Sequence, residues 1–210
     1  MAQGQKVIVF VVVWIFFILR YAFDENIAVL HDYVSYAIEL IFVAIAGFFF
    51  KDQINWKITL TKKSFTVGAV ALGAGYGIYE FAVHRDIVIP FEFNTALPIF
   101  FLLIVAPFLE ELLFRFVLIG ANNRFVQNQY VLIGLSAIAF SMAHFNALRY
   151  VPEVLRGFVI YQGIYTFLLG SACAVVYIRT NRRILNAIGV HFLFNLGFYL
   201  ASLYLSLIHI

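Results

Sequence analysis

Charged side chains are scarce in this chain. Only 12% of its 210 residues are Asp, Glu, Lys or Arg, whereas 64% are apolar and 19% are aromatic. A soluble domain is roughly a quarter charged and half apolar. A single cysteine, Cys173, excludes an intrachain disulfide. Alternation of polar and apolar residues is missing from runs such as VIVFVVVWIFFIL, which excludes a membrane β-barrel.

Long apolar runs dominate the sequence instead. Runs of roughly 17–25 residues recur, and each is long enough to cross a bilayer core of about 30 Å. We predict an all-α polytopic transmembrane helix bundle, a single integral-membrane domain over residues 1–210. No A-x-A-like cleavage site follows Arg20, so we expect the first run to remain as an uncleaved span. About seven spans are predicted: 7–23, 34–50, 65–83, 96–120, 130–148, 157–178 and 184–209.

The Lys and Arg residues of the predicted loops indicate the orientation of the bundle. With the N-terminus inside, the cytoplasmic segments hold nine of these residues and the outer segments hold four. Cytoplasmic loops of membrane proteins carry an excess of Lys and Arg. We therefore expect the N-terminus to be cytoplasmic. The modest net charge of +3 lies in loops and does not indicate a nucleic-acid partner.

Glycine spacing predicts where two of the spans approach a neighbour. Ala69, Gly73 and Gly77 recur every four residues in the third predicted span. Gly163 and Gly170 lie in the sixth. Small residues let membrane helices approach one another closely, so we predict close helix contacts at both sets.

The segment APFLEELLFRF places three charged residues, Glu110, Glu111 and Arg115, inside the fourth predicted span. A charge at the bilayer centre costs about 2.5–3.5 kcal/mol on insertion scales, so three of them need a reason. Glu111 and Arg115 are four residues apart on one helix face, and we predict that they form an ion pair. Glu110 then faces another partner. We expect Pro107 to kink the span just before the acidic pair.

Polar residues on two later spans can be the partners of Glu110. The run FSMAH ends at His144, and HFLFN places His191 and Asn195 on one helix face. A carboxylate can take a proton from water, and His and Asn donors can stabilise an oxyanion. These groups are suited to peptide hydrolysis without a covalent intermediate. The alternative is that they only hydrogen-bond one another and hold the helices together.

Other polar residues within or near the spans favour structural roles. Glu39 and Glu80 lie near predicted span ends, where an interfacial position is the simpler interpretation. Gln162 and Thr166 share a face of the sixth span and either hydrogen-bond between helices or line a substrate groove. Cys173 is interpreted as a small packing residue.

The three motifs together resemble the CPBP family. EELLFR (110–115) is similar to E-E-x-x-x-R, FSMAH (140–144) to F-x-x-x-H, and HFLFN (191–195) to H-x-x-x-N/D, in that order. The family includes type II CAAX prenyl endopeptidases and bacteriocin-processing enzymes, also labelled abortive-infection proteins. The resemblance covers a CAAX-protease-like core at 96–200. It implies an intramembrane endopeptidase whose polar cavity opens toward the cytoplasm.

Carried onto this chain, the resemblance makes Glu110 the general base, assisted by His144, and places His191 and Asn195 in the oxyanion hole. It leaves a zinc-dependent mechanism open, in which Glu110, His144 and His191 are the protein ligands and water is the fourth. No H-E-x-x-H motif occurs, and no carboxylate is evident behind each histidine, so we favour a glutamic mechanism without a cofactor. Two residues of the first motif would be supporting: Glu111 and Arg115.

The expected partners are the lipid bilayer and a membrane-associated peptide or protein substrate. About 15 residues follow Asn195, whereas longer members of the family have another helix, which weakens an inference to prenylated substrates. The compact form resembles bacterial members, so we expect a bacterial or archaeal plasma membrane. Two other functions stay open. One is a non-catalytic membrane immunity or binding protein, and the other is a proton-coupled transporter, for which the sequence shows no inverted repeats.

Overall fold

A computed structural model describes residues 3–30, 32–50, 54–58 and 61–208. The described residues fold into helices joined by short loops, and the predicted all-α bundle is confirmed. In chain order the helices are α1 Gln3–Ala22, α2 Asp24–Leu30, α3 Asp32–Phe50, α4 Lys62–His84, α5 Ala96–Asn122, α6 Gln129–Phe145, α7 Glu153–Arg179 and α8 Ile184–Ile208.

Six of the described helices are long and apolar enough to cross a membrane, namely α1, α4, α5, α6, α7 and α8. The second predicted span corresponds to α3, whose apolar part Val34–Phe50 is shorter than the others. The short helix α2 precedes α3 and was not predicted from the sequence. Large apolar side chains such as Ile8, Phe65 and Val70 are more than 60% exposed. They face the position of the lipid tails, where apolar exposure is favourable.

Two glycines bring α4 and α8 into backbone contact. A Cβ added to Gly75 would overlap the carbonyl group of Phe194, and one added to Gly197 would overlap the carbonyl group of Leu72. Neither position can therefore accept a side chain while the two helices stay at this distance. Close backbone approach through small residues is the way in which membrane helices gain packing without a hydrophobic driving force.

The small-residue stripe predicted on the third span was wrong. Ala69, Gly73 and Gly77 are exposed, and a Cβ on either glycine would meet no atom within 4 Å. The span contains several rows of small residues, and spacing alone cannot tell which row faces the glycine of α8. The buried row is Gly68, Ala71, Gly75 and Ala82.

The close contacts predicted for the sixth span are confirmed. Gly163 of α7 lies against the ring of Phe145 of α6. A Cβ added to Gly170 of α7 would lie 2.9 Å from the ring of Phe140 of α6. Ser141 of α6 donates a hydrogen bond of 2.7 Å to the carbonyl oxygen of Gly163. These contacts place α6 and α7 side by side.

Helix α5 runs through the centre of the bundle. Its residues Leu112–Ile119 are all buried, and this stretch is π-helical. Phe17 of α1 lies 5.4 Å from Phe114, measured between ring centroids, and Phe50 of α3 lies 5.9 Å from Phe116. The first and third helices therefore cover one side of α5.

The two ends of the bundle differ in charge. The described residues of one end, which we call the basic face, contain no Asp or Glu and eight basic residues: Lys6, Lys57, Lys62, Lys63, Arg124, Arg179, Arg182 and Arg183. Contacts hold this end together, since the N–H of Ile184 donates to the carbonyl oxygen of Asn55 at 3.0 Å and Arg124 lies 4.8 Å from the ring centre of Phe50. The opposite end carries the loop between α4 and α5 and the turn after α6.

Candidate active site

A cavity of about 570 Å³ lies between α5, α6, α7 and α8. Most of its wall is apolar and aromatic, which is the usual composition of a substrate pocket. The polar part of the wall includes residues that the sequence predicts as site residues. Four of them line this one cavity: Glu110, His144, His191 and Asn195.

The adjacent glutamates Glu110 and Glu111 face different surroundings. Glu111 is fully buried, and its Oε2 lies 3.0 Å from Nε of Arg115, so the predicted ion pair is present. Its other oxygen, Oε1, lies 2.9 Å from Nδ1 of His191. Glu110 lies on the cavity side, and its Oε2 is 3.7 Å from Nε2 of His191. Glu111 thus has one ion-pair partner and one hydrogen-bond partner, whereas Glu110 faces the cavity.

The bond between Glu111 and His191 was missed in the sequence analysis. A histidine that donates one ring N–H to a carboxylate is fixed in tautomer and orientation. Glu111 therefore supplies the carboxylate behind His191 that was not evident from the sequence. The two residues lie 80 positions apart, and no local spacing relates them.

Arg115 links three helices at the base of the cavity. Besides its ion pair with Glu111, its Nη2 donates a 3.2 Å hydrogen bond to the carbonyl oxygen of Gly170 in α7. Its guanidinium carbon lies 4.8 Å from the ring centre of Phe140 in α6, within the range of a cation–π contact. Arg115 has no exposed surface. These contacts position Glu111, which in turn holds the ring of His191.

The carboxamide of Asn195 bonds to the backbone of α5. Its Nδ2 donates to the carbonyl oxygen of Leu102 at 2.8 Å. Phe101–Val105 is π-helical, with the N–H of Ala106 bonded to the carbonyl oxygen of Phe101. The corresponding donor for Leu102 would be residue 107, and Pro107 has no N–H. The effect of this proline is therefore a local change of hydrogen bonding that leaves a carbonyl oxygen for Asn195.

His144 lies near the end of α6, with its ring edge-on to Phe140 at 5.0 Å between centroids. The ring of His191 lies 5.8 Å from the same phenylalanine. Phe140 therefore contacts both imidazoles. It is almost fully buried and also borders Arg115, so the first residue of the F-x-x-x-H motif orders three polar groups.

The residues do not fit the zinc site that was left open. Among the described residues, Glu110, His144 and His191 do not bring their ligand atoms within 4.8 Å of one another. The group that does is Glu111, Cys173 and His191. Glu111 already pairs with Arg115, whose positive charge opposes a second cation. Nδ1 of His191 is also engaged by Glu111.

The remaining wall of the cavity comes from residues with weak sequence signals. Gln162 and Thr166 of α7 line the cavity. Their position therefore agrees with the interpretation that this pair lines a groove. Thr166 also donates to the carbonyl oxygen of Gln162 within its own helix at 2.7 Å. The loop before α5 was noted only as a connection, and it contributes four residues to the wall: Pro90, Phe91, Glu92 and Phe93.

A second polar cluster ties the first helices to the turn after His144. Asn146 donates to Oδ2 of Asp24 at 3.0 Å, and the hydroxyl of Tyr150 donates to the same oxygen at 2.8 Å. Burial and this bond raise the pKa of the Tyr150 phenol above its usual value. Arg20 pairs with Asp24, and its Nε lies 3.4 Å from Oε1 of Glu39. Glu39 is thus part of an ion-pair cluster between α1 and α3.

The family comparison agrees with the motifs. The sequence model of a family described as type II CAAX prenyl endopeptidase, Rce1-like, matches residues 92–197, which is half of the chain. The chain belongs to this family. An Rce1-like family member is an intramembrane protease of the CAAX type, and all four cavity-lining site residues fall within the matched segment. No curated protein and no solved structure matches the chain.

Proposed function

We propose that this protein hydrolyses a peptide bond of a membrane-associated protein or peptide with a water molecule activated by Glu110. His144 assists the base, and His191 and Asn195 stabilise the oxyanion. Glu111 and Arg115 are positioning residues.

The observation that carries the proposal is the difference between the two adjacent glutamates. Glu111 is fully buried and engaged by Arg115 and His191. Glu110 lines the cavity, and its side chain keeps 19% of its surface exposed. A general base has to reach water and substrate, and only the cavity-facing glutamate meets this requirement.

In the proposed reaction Glu110 takes a proton from water, and the hydroxide oxygen attacks the carbonyl carbon of the peptide bond. The carbonyl oxygen becomes an oxyanion while the new C–O bond forms. Glu110 then returns the proton to the amide nitrogen, the C–N bond breaks, and a carboxylic acid and an amine are released. Hydrogen-bond donors aimed at the oxyanion lower the barrier because the negative charge develops only in the transition state.

His191 is oriented for this task by Glu111. Since Nδ1–H is donated to Glu111, Nε2 is the nitrogen directed at Glu110 and the cavity. With a proton on both ring nitrogens, Nε2 can donate to an oxyanion.

Asn195 carries two N–H donors on its amide nitrogen. In the structure this nitrogen donates to the carbonyl oxygen of Leu102. In the proposed reaction the second N–H donates to the substrate oxyanion. Charged acceptors form stronger hydrogen bonds than neutral carbonyls, so this bond is favoured in the transition state rather than on substrate binding.

The test compares Glu110→Gln with Glu153→Gln, an exposed glutamate at the start of α7 that undergoes the same chemical change. We expect Glu110→Gln to lower cleavage by about 10²–10⁴-fold, the usual contribution of a general base. Glu153→Gln should cleave normally. Peptides from the membrane and medium of cells making each variant are compared by mass spectrometry. Processing that continues unchanged in Glu110→Gln cells, with the protein inserted, would end the proposal and favour a non-catalytic binding protein.

The metal question has a separate readout. We propose that the reaction needs no metal ion, because the three residues expected to bind zinc do not converge. Purified protein should hold less than stoichiometric zinc and should keep its activity after dialysis against a chelator. Activity that is lost on chelation and restored by zinc would show that this part of the proposal is wrong while leaving the role of Glu110 open.

A further inference from the structure

The cavity lies toward one end of the bundle, and this position conflicts either with the predicted orientation of the chain or with the expected side of the cavity opening. The charge count predicts a cytoplasmic N-terminus, and the family resemblance predicts a cavity open to the cytoplasm. The cavity is lined by Tyr36, Pro90, Phe91 and Glu92, all of which lie at the end of the bundle opposite the basic face. Phe91 and Glu92 are exposed there. Both expectations cannot hold for this chain.

Among the described residues, the other end of the bundle is filled with buried side chains beneath the site. Phe116, Ile119, Tyr177 and Ile184 lie between the site and the basic face, and each is at most 2% exposed. They belong to the continuous hydrophobic core of the protein. A peptide cannot reach Glu110 through this layer without unfolding it. The route to the site therefore starts at the end of the bundle that carries the loop before α5.

The charge difference between the two ends decides the orientation. Eight basic and no acidic residues mark the basic face among the described residues, whereas at the opposite end acidic residues outnumber the four arginines. The excess of Lys and Arg in short loops sets the orientation of membrane proteins, and it assigns the basic face to the cytoplasm. The residues at the other end are Arg20, Arg85, Arg149 and Arg156, with Asp24, Glu25, Asp86, Glu92 and Glu153.

We propose that the cavity opens on the extracytoplasmic side and receives a neutral or basic peptide segment presented at the outer surface of the membrane. The peptide enters past Phe91 and Glu92, and the carboxylate of Glu92 at this entrance favours a segment without net negative charge. The apolar wall favours uncharged side chains next to the cleaved bond. The orientation stands on geometry and charge alone, whereas the statement that the peptide is cleaved rests on the proposed function.

The parent chain has no exposed cysteine among its described residues, so single cysteines can be introduced for a labelling experiment. Cys173 is its single cysteine, and it is fully buried. A membrane-impermeant maleimide should therefore leave the parent chain unlabelled. Glu92→Cys places a thiol at the rim of the cavity, and Lys57→Cys places one at an exposed position on the basic face. Asn94→Cys, exposed in the same loop as Glu92, serves as a second probe of that side.

In intact cells that carry the protein in their plasma membrane, we expect Glu92→Cys and Asn94→Cys to be labelled as fully as after permeabilisation. Lys57→Cys should react only after permeabilisation. The reverse pattern, or labelling of both sides in intact cells, would overturn the proposed orientation. This readout needs no substrate, so it succeeds or fails independently of the proposed catalytic role of Glu110.

A second measurement tests the route of the substrate. A bulky impermeant maleimide added to intact Glu92→Cys cells should stop processing, and the same treatment of the parent and of Lys57→Cys should have no effect. Processing that continues in fully modified Glu92→Cys cells would overturn the proposed entrance even if the labelling pattern is as expected. If processing is still lost in Glu110→Gln cells, the proposed catalytic role of Glu110 holds although the proposed entrance is wrong.

Discussion

The same substitution should affect stability at one of the two adjacent glutamates and activity at the other. Glu110→Gln and Glu111→Gln each replace one carboxylate oxygen by an amide nitrogen at nearly constant volume. Glu111 and Arg115 have no exposed side-chain surface, and their ion pair is 3.0 Å long. Removing the charge of Glu111 leaves the guanidinium without its anion in a region that water does not reach. The charge of Glu110, by contrast, lies at a cavity.

The magnitude follows from this burial. Removing one partner of a buried ion pair costs about 3–5 kcal/mol. At roughly 2–4 °C per kcal/mol for a chain of this size, the melting temperature of Glu111→Gln should fall by about 6–20 °C. Glu110→Gln should lower the melting temperature less than Glu111→Gln does, because its carboxylate borders the cavity and is not enclosed with Arg115, and should lose activity.

The assay is thermal unfolding of the purified variants in one detergent, followed in parallel with cleavage. A double variant provides the internal control, because Glu111→Gln with Arg115→Met removes both charges. We expect it to be more stable than Glu111→Gln alone, since no unpaired charge is left buried. Equal melting temperatures for Glu110→Gln and Glu111→Gln would refute the reasoning, as would a double variant that is less stable than either single one.

Two further substitutions test the helix contacts and the amide. Gly75→Leu or Gly197→Leu should prevent stable packing of α4 against α8, because the added side chain would overlap a backbone carbonyl. Gly73→Leu should be tolerated, because a Cβ there meets no atom within 4 Å. The fraction of folded protein that survives a heated detergent step measures the difference. Asn195→Ala should lower kcat by about 10²–10³-fold if its amide binds the oxyanion, and should lower stability by about 1–3 kcal/mol because the Leu102 carbonyl loses its donor. Unchanged kcat with reduced stability would make Asn195 purely structural.

The fold class was predictable because lipid imposes a simple rule. A segment that crosses a bilayer has to satisfy its backbone hydrogen bonds internally, so long apolar runs predict helices directly. The choice of helix face was not predictable in α4, because Gly73 and Gly75 belong to different rows that look equally suitable. Which row is buried depends on Gly197 in α8, more than 100 residues further along the chain.

The candidate site was predictable where its residues lie one helical turn apart. The pairing of Glu111 with Arg115 follows from a spacing of four, and the structure contains it. The bonds of Glu111 to His191 and of Asn195 to Leu102 join distant segments, so no periodicity indicates them. The loop that forms the rim of the cavity was likewise missed, because its position depends on the fold of the whole bundle.

The solid layer of side chains below the cavity has a consequence for turnover. Because the described side chains fill the bundle between the cavity and the basic face, a cleaved substrate could not pass from end to end, and both fragments would leave on the side of the entrance past Phe91 and Glu92. The fragment that dissociates more slowly blocks binding of the next substrate molecule in the cavity. If the proposed function holds, we expect release of the more hydrophobic cleavage product, rather than bond breaking, to limit the rate of repeated cycles.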